Sequence, residues 1–295
     1  MALTIHVQGA EQNETCYGLA LSSGKSYGPY QAGAILALIQ AFPQGESWDA
    51  LSGVTEGAIN AYILSLYDQE NDAAMQHLMS FWKRIGGSGV YENYLLGALE
   101  GLIAQDGLYK SDPLMDILDD EFGQQPELKN SKRKLNIGIT NMLNGTFVSF
   151  NDNFKSKHLV EALKSSVAYP GIFPPHQAWD SYWQPGSSIW NIDVSAPVLR
   201  CKAMGFKEDQ IIIDVILDNS DEIDTVDVST YNAFQMGYRT YEVMSYFTAK
   251  EGLLHAQRAY PDVKFRNIVG PKQSWSLDSL FKWIPINYSS GEVQR

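Results

Sequence analysis

From residue 16 the chain alternates short apolar runs with longer apolar or amphipathic stretches. Cys16–Leu21 (CYGLAL) has the length of a strand and ends in the turn-forming Ser22-Ser23-Gly24. Residues 32–42 (AGAILALIQAF) are apolar nearly all round, which predicts a helix buried on every side. The same pairing follows at once: a strand over residues 48–54, then a largely apolar helix over 57–67 (GAINAYILSLY). Strand, sharp glycine-bounded turn and buried helix, twice over, predict a parallel α/β sheet.

Helical spacing recurs over residues 72–85, 92–104 and Asp112–Phe122, the first and third opening on aspartate. Residues 135–141 and 146–150 read as strands flanking Asn144-Gly145, a two-residue hairpin signal. Residues 157–168 form a helix that Pro170 stops. Residues 210–217 (QIIIDVIL) are the most β-branched stretch and predict a central strand, with Asp214 and Asp218 at strand ends or in loops. A long helix over 230–260, with Gly237 and Gly252 as candidate kinks, precedes a last strand, Lys264–Val269. The division is a polar lead-in (1–15), one domain (16–270) and a tail (271–295).

Charge and composition narrow the function. With 34 acidic against 22 basic residues the net charge is -12, which disfavours nucleic acid and broad attraction to anionic membranes. The absence of an apolar run of membrane-spanning length, and of a basic-then-apolar N-terminus, predicts a cytoplasmic protein. Cys16 and Cys201 are too few for a disulfide framework or a thiolate metal site. His6, His77, His158, His176 and His255 are scattered without metal-ligand spacing, so neither metal nor cofactor is expected; His176 alone, after Pro174-Pro175, invites attention. The trend reverses in residues 264–295, with five basic residues to two acidic. There residues 274–286 (SWSLDSLFKWIPI) concentrate Trp275, Leu277, Leu280, Phe281, Trp283 and Ile284, an apolar helical surface. It packs back on the domain or else, with residue types that anchor interfaces, docks a protein partner or the headgroup layer of a lipid surface.

Gly53-Val54-Thr55-Glu56-Gly57 lies between a predicted strand and a buried helix, where G-x-S-x-G forms the nucleophile elbow of acyl hydrolases. The third residue is threonine, whose β-branch suits a strained φ poorly. Glu56 reads as an acidic residue favoured by the helix dipole, a misplaced base being the alternative. Upstream, GLALSSGKSYGPYQAG carries a strand into a glycine-containing loop and helix, where backbone amides can form an oxyanion pocket. Gly24-Lys25-Ser26 also suggests a phosphate-binding loop. That motif's first glycine would fall on Leu19, inside the strand, which leaves nucleotide binding the weakest reading.

Together these segments resemble the patatin-like phospholipase family. GLALSSGKSYGPYQAG matches its strand, oxyanion loop and helix, Gly53–Gly57 stands at the spacing of its G-x-S-x-G, and residues 163–175 (LKSSVAYPGIFPP) match its A-S-x-A-x-P-x-x-F-P-P block. Asn191-Ile192-Asp193 falls where the family has its catalytic aspartate. The resemblance implies a three-layer α/β/α sandwich with a mainly parallel central sheet. It also implies a Thr55–Asp193 dyad in place of Ser–Asp, an oxyanion loop of Ser23, Gly24, Lys25, Ser26 and Gly28, and elbow glycines Gly53 and Gly57. The departures fall on the chemistry: Ser23-Gly24-Lys25 replaces the glycine triplet, Thr55 the serine, and Val194-Ser195 the glycine and small residue after the aspartate. The expectation is a catalytically impaired lipid acyl hydrolase homologue, kept for structure, scaffolding or binding of a lipid or fatty-acyl ligand. An active hydrolase using Thr55 and Asp193 is the alternative.

Overall fold

The computed structural model describes residues 15–24, 28–43, 46–68, 70–220, 222–223 and 225–272. The polar lead-in to residue 14, Lys25, Ser26 and the aromatic tail from residue 273 lie outside the described residues.

Strand β1 (Cys16–Leu21) feeds helix α1 (Gly28–Ala41), and β2 (Ala50–Val54) feeds α2 (Glu56–Ser65). Then come α3 (Asn71–Gly87), α4 (Ala98–Ala104), α5 (Asp112–Phe122), β3 (Lys134–Asn141), β4 (Thr146–Asn151) and α6 (Ser156–Ser166). A hairpin of β5 (His176–Ala178) and β6 (Ser181–Pro185) precedes α7 (Ser195–Ala203), β7 (Ile211–Ile216), α8 (Ala233–Ala259) and β8 (Lys264–Val269). The strands form one sheet in the order β5-β6-β3-β2-β1-β7-β8, with β4 on the free edge of β3. From β3 to β8 every neighbour is parallel. The pairs involving β4, β5 and β6 are antiparallel.

Period-two alternation divides the apolar side chains between two cores. Leu19 and Leu21 of β1, Leu51 of β2 and Leu135, Ile137 and Ile139 of β3 pack with α1, α2, α3, α5 and α6. Cys16 and Ala20 of β1, Ala50 of β2 and Ile211, Ile213 and Val215 of β7 face α7 and α8. Helices therefore cover both faces of a mainly parallel sheet, the three-layer sandwich expected from the sequence. All ten residues of α2 are buried, as its all-round apolarity predicts. Beyond Gly138, where pairing with β2 stops, β6 continues on β3 from Ile139. Strand β2 thus ends where α2 begins, and the chain turns at Thr55.

Several expectations are corrected. Cys16 and Cys201, both fully buried, form a disulfide that ties β1 to α7. Two cysteines make no multi-bridge framework, yet one bond across 185 residues is a strong constraint on the unfolded chain. Asp214 lies mid-strand and fully buried rather than at a strand end, because Trp48, Arg266 and Asn267 all donate hydrogen bonds to it. The helix expected over 92–104 is confined to α4, since Glu92 pairs instead with Lys110 in an isolated bridge. The β5–β6 hairpin had no clear sequence signal. Its turn places Trp179 and Asp180 at positive φ, a conformation that aspartate favours and tryptophan does not.

Candidate active site

The ends of β1, β2 and β7 meet at one edge of the sheet. Strand β1 lies between β2, reached through α1, and β7, which belongs to the other half of the fold. Parallel sheets form their ligand crevices at such reversals of strand order.

Thr55 occupies the turn with φ 61° and ψ -122° and is fully buried. A β-branched residue at positive φ is strained by about 1–3 kcal/mol, a cost borne only where the surroundings over-determine the turn. Here they do. A Cβ on Gly53 would stand 2.1 Å from the Gly57 carbonyl oxygen, and one on Gly57 would stand 2.5 Å from the Ser22 carbonyl oxygen. Both elbow glycines are therefore required for β1, β2 and α2 to approach one another. The Thr55 N–H donates to Ser166 Oγ at 2.7 Å, so the block at the end of α6 holds the elbow from behind. The Thr55 hydroxyl oxygen is buried and has no hydrogen-bond partner among the described residues.

Asp193 stands on the segment before α7. Ser52 Oγ of β2 donates to its carbonyl at 2.6 Å, and its own Oδ1 accepts the Ala196 N–H at 3.0 Å. The carboxylate thus caps the first turn of α7. Burial raises its pKa, and the amides of Ala196 and Ser195 partly offset that. No hydrogen bond joins Asp193 to Thr55 Oγ1. The expected dyad partners are brought to the same edge but are not engaged with each other.

The loop after β1 is held by a chain of buried amides. Gln31 Nε2 donates to the Ser22 carbonyl at 2.8 Å, Asn60 Nδ2 donates to the Gly28 carbonyl at 3.2 Å and to Gln31 Oε1 at 3.1 Å, and Trp82 Nε1 donates to Asn60 Oδ1 at 2.7 Å. The three residues that follow β1 each donate their backbone N–H within the fold. Ser22 N–H donates to the Ile216 carbonyl at 3.0 Å and Ser23 N–H to the Asn191 carbonyl at 2.8 Å. Gly24 N–H donates to Glu56 Oε2 at 3.0 Å.

Glu56, in the first turn of α2, also reaches the loop after β1. Its carboxyl group turns back over the loop, where the Tyr169 hydroxyl also donates, 2.8 Å from Oε2 and 3.0 Å from Oε1. Burial pushes its pKa up to about 8; hydrogen bonds from Tyr169, its own N–H and Gly24 oppose the rise, and the Asp218 charge adds to it. Tyr169 was missed although it lies inside the family-like block, since only the fold brings it across to Glu56. Behind the pair, Asp218 accepts hydrogen bonds from Ser22 Oγ at 3.2 Å and Asn191 Nδ2 at 3.0 Å.

The described histidines take no part. His77 contacts Tyr67 and Glu121, and His176 contacts Glu161 at 2.7 Å. Among the described residues no three His, Cys, Asp or Glu side chains are grouped to hold a metal ion, and no helix is long and apolar enough to cross a membrane.

The family model described as patatin-like phospholipase matches residues 19–235. Among solved structures, VipD from Legionella pneumophila is similar with a TM-score of 0.42 and 12% identity, over 92% of this chain and 65% of that one. No curated protein matches the chain.

Proposed function

Because the chain belongs to the patatin-like phospholipase family, we propose that it is a catalytically impaired lipid acyl hydrolase homologue, retained to bind a lipid or fatty-acyl ligand or to act as a scaffold. The observation that carries this reading is the Thr55 hydroxyl, buried at the elbow with no base on it. A hydroxyl at its ordinary pKa is a weak nucleophile until an adjacent base takes its proton. The carboxylate that would serve, Asp193, is committed to the first turn of α7. A protein partner for the tail (271–295) belongs to the same proposal.

One observation favours the alternative of an active Thr55–Asp193 hydrolase: the elbow keeps its strained backbone although threonine fits it badly. The test is hydrolysis of short-chain esters and phospholipid vesicles by the purified chain and by Thr55→Ala and Asp193→Ala. The impaired reading expects all three to turn over at the same background rate. Robust turnover that vanishes in both variants would establish the hydrolase instead.

A further inference from the structure

We infer that Glu56 is an internal ligand of the oxyanion loop, a carboxyl group occupying the place where the carbonyl oxygen of an acyl substrate would be stabilised. This rests on the reading of the site as a degenerate acyl-hydrolase centre and accounts for its impairment separately from Thr55. The backbone hydrogen bonds of Ser22, Ser23 and Gly24 point to this position. Ser22 and Ser23 spend their N–H groups on backbone carbonyls that hold the loop to β7 and to the segment before α7. Gly24 is the described loop residue whose N–H meets a side chain, and that side chain follows the nucleophile position directly. The approach is close: a Cβ on Gly24 would lie 2.9 Å from the Glu56 Cβ. Tyr169 fixes the carboxyl from the far side with its hydroxyl. An acyl oxygen and the Glu56 carboxyl are both planar oxygen acceptors, and they compete for one donor. Removing the Glu56 carboxyl creates a pocket of the same chemistry, one that takes an acyl or phosphonyl oxygen.

The test uses the full chain and an alkyl fluorophosphonate. In labelling, the hydroxyl oxygen at position 55 attacks phosphorus, a P–O bond forms, the P–F bond breaks, fluoride leaves, and the hydroxyl proton passes to Asp193 or solvent. Intact mass reports the adduct. Thr55→Ser supplies the less hindered nucleophile, and Thr55→Ser with Glu56→Ala adds the open pocket. Labelling of the double variant is expected to be about 100-fold faster than of Thr55→Ser alone, the lower end of the cost of losing one oxyanion donor. Glu56→Gln in the Thr55→Ser background retains an oxygen acceptor for Gly24 and Tyr169 and is expected to stay as slow as Thr55→Ser. A folded Glu56→Ala double variant no faster than Thr55→Ser overturns the inference, as does a glutamine variant that labels as fast as the Glu56→Ala double variant. Should the double variant not fold, Tyr169→Phe with Thr55→Ser loosens the carboxyl by removing its hydroxyl donor. A rise of about 10-fold is then expected, and no rise overturns the inference. Robust wild-type turnover would instead defeat the impaired reading, an outcome distinct from all of these.

Discussion

Glu56→Gln separates the charge of this side chain from its shape. The buried carboxyl of Glu56 has its pKa pushed from 4.5 to about 8, chiefly by desolvation. In the unfolded chain the group ionises near 4.5, so between these values the folded state holds a proton that the unfolded state has released. Folding stability is therefore undiminished below about pH 4.5, falls as pH rises through the window, and levels off above about 8. At about 1.4 kcal/mol per pH unit the full loss is about 5 kcal/mol. Glutamine carries no such linkage, yet its amide oxygen can still accept from Gly24 and Tyr169. Urea unfolding of both proteins at half-unit steps from pH 4.5 to 9 gives the stability difference, in which titrations common to both cancel. The variant should gain on the wild type steadily up to pH 8, by several kcal/mol, and then hold its lead. A difference independent of pH would mean that Glu56 is ionised in both states throughout the range, and a variant losing ground as pH rises through the acid end, near 4.5, would mean that the loop stabilises a charged carboxylate. Either result refutes the account of a neutral carboxyl over Gly24.

Two further predictions concern the frame around the site. Replacing Cys16 and Cys201 together by serine should lower unfolding stability by about 2–5 kcal/mol, because the bond closes 185 residues of chain; an unchanged urea midpoint would show that the bond is not formed in solution. Asp214→Ala should cost about 3–5 kcal/mol by leaving the Arg266 guanidinium short of a buried partner and the Trp48 indole N–H without its acceptor, and a loss below 1 kcal/mol in chemical unfolding would contradict the buried network described for β7 and β8.

Much of the fold was legible because its main elements follow simple periods. The strands of β1, β2, β3 and β7 are short, apolar and bounded by turn residues, while α2 is apolar all round because it is buried all round. What escaped was local conformation with no composition to announce it. The β5–β6 hairpin turns on Trp179 and Asp180 rather than on glycine or asparagine. Helix α7 opens on Ser195-Ala196-Pro197, directly after the candidate aspartate, in a stretch read as a motif rather than an element. Asp214 interrupts an isoleucine-rich strand, which suggested a strand end. It is tolerated mid-strand only because Arg266 and Asn267 come from β8, more than fifty residues later.

The elbow was legible as a turn but its surroundings were not, and its five residues show why. Gly53 and Gly57 are demanded by contacts between backbones, at 2.1 and 2.5 Å from any added Cβ, whatever chemistry the turn performs. A sequence that keeps them therefore reports the fold. Thr55 and Glu56, between and beside them, face demands that the glycines do not record. Whether position 55 can react depends on the base near its hydroxyl and on a free oxyanion donor, and both are settled by residues far away in sequence. The Gly24 amide is engaged by a carboxyl 32 residues on, and that carboxyl is fixed by a tyrosine a further 113 residues along. Neither spacing has a period or a motif to reveal it. A retained elbow is thus a statement about how β1, β2 and α2 pack, and activity has to be read from who occupies the hydrogen bonds around it.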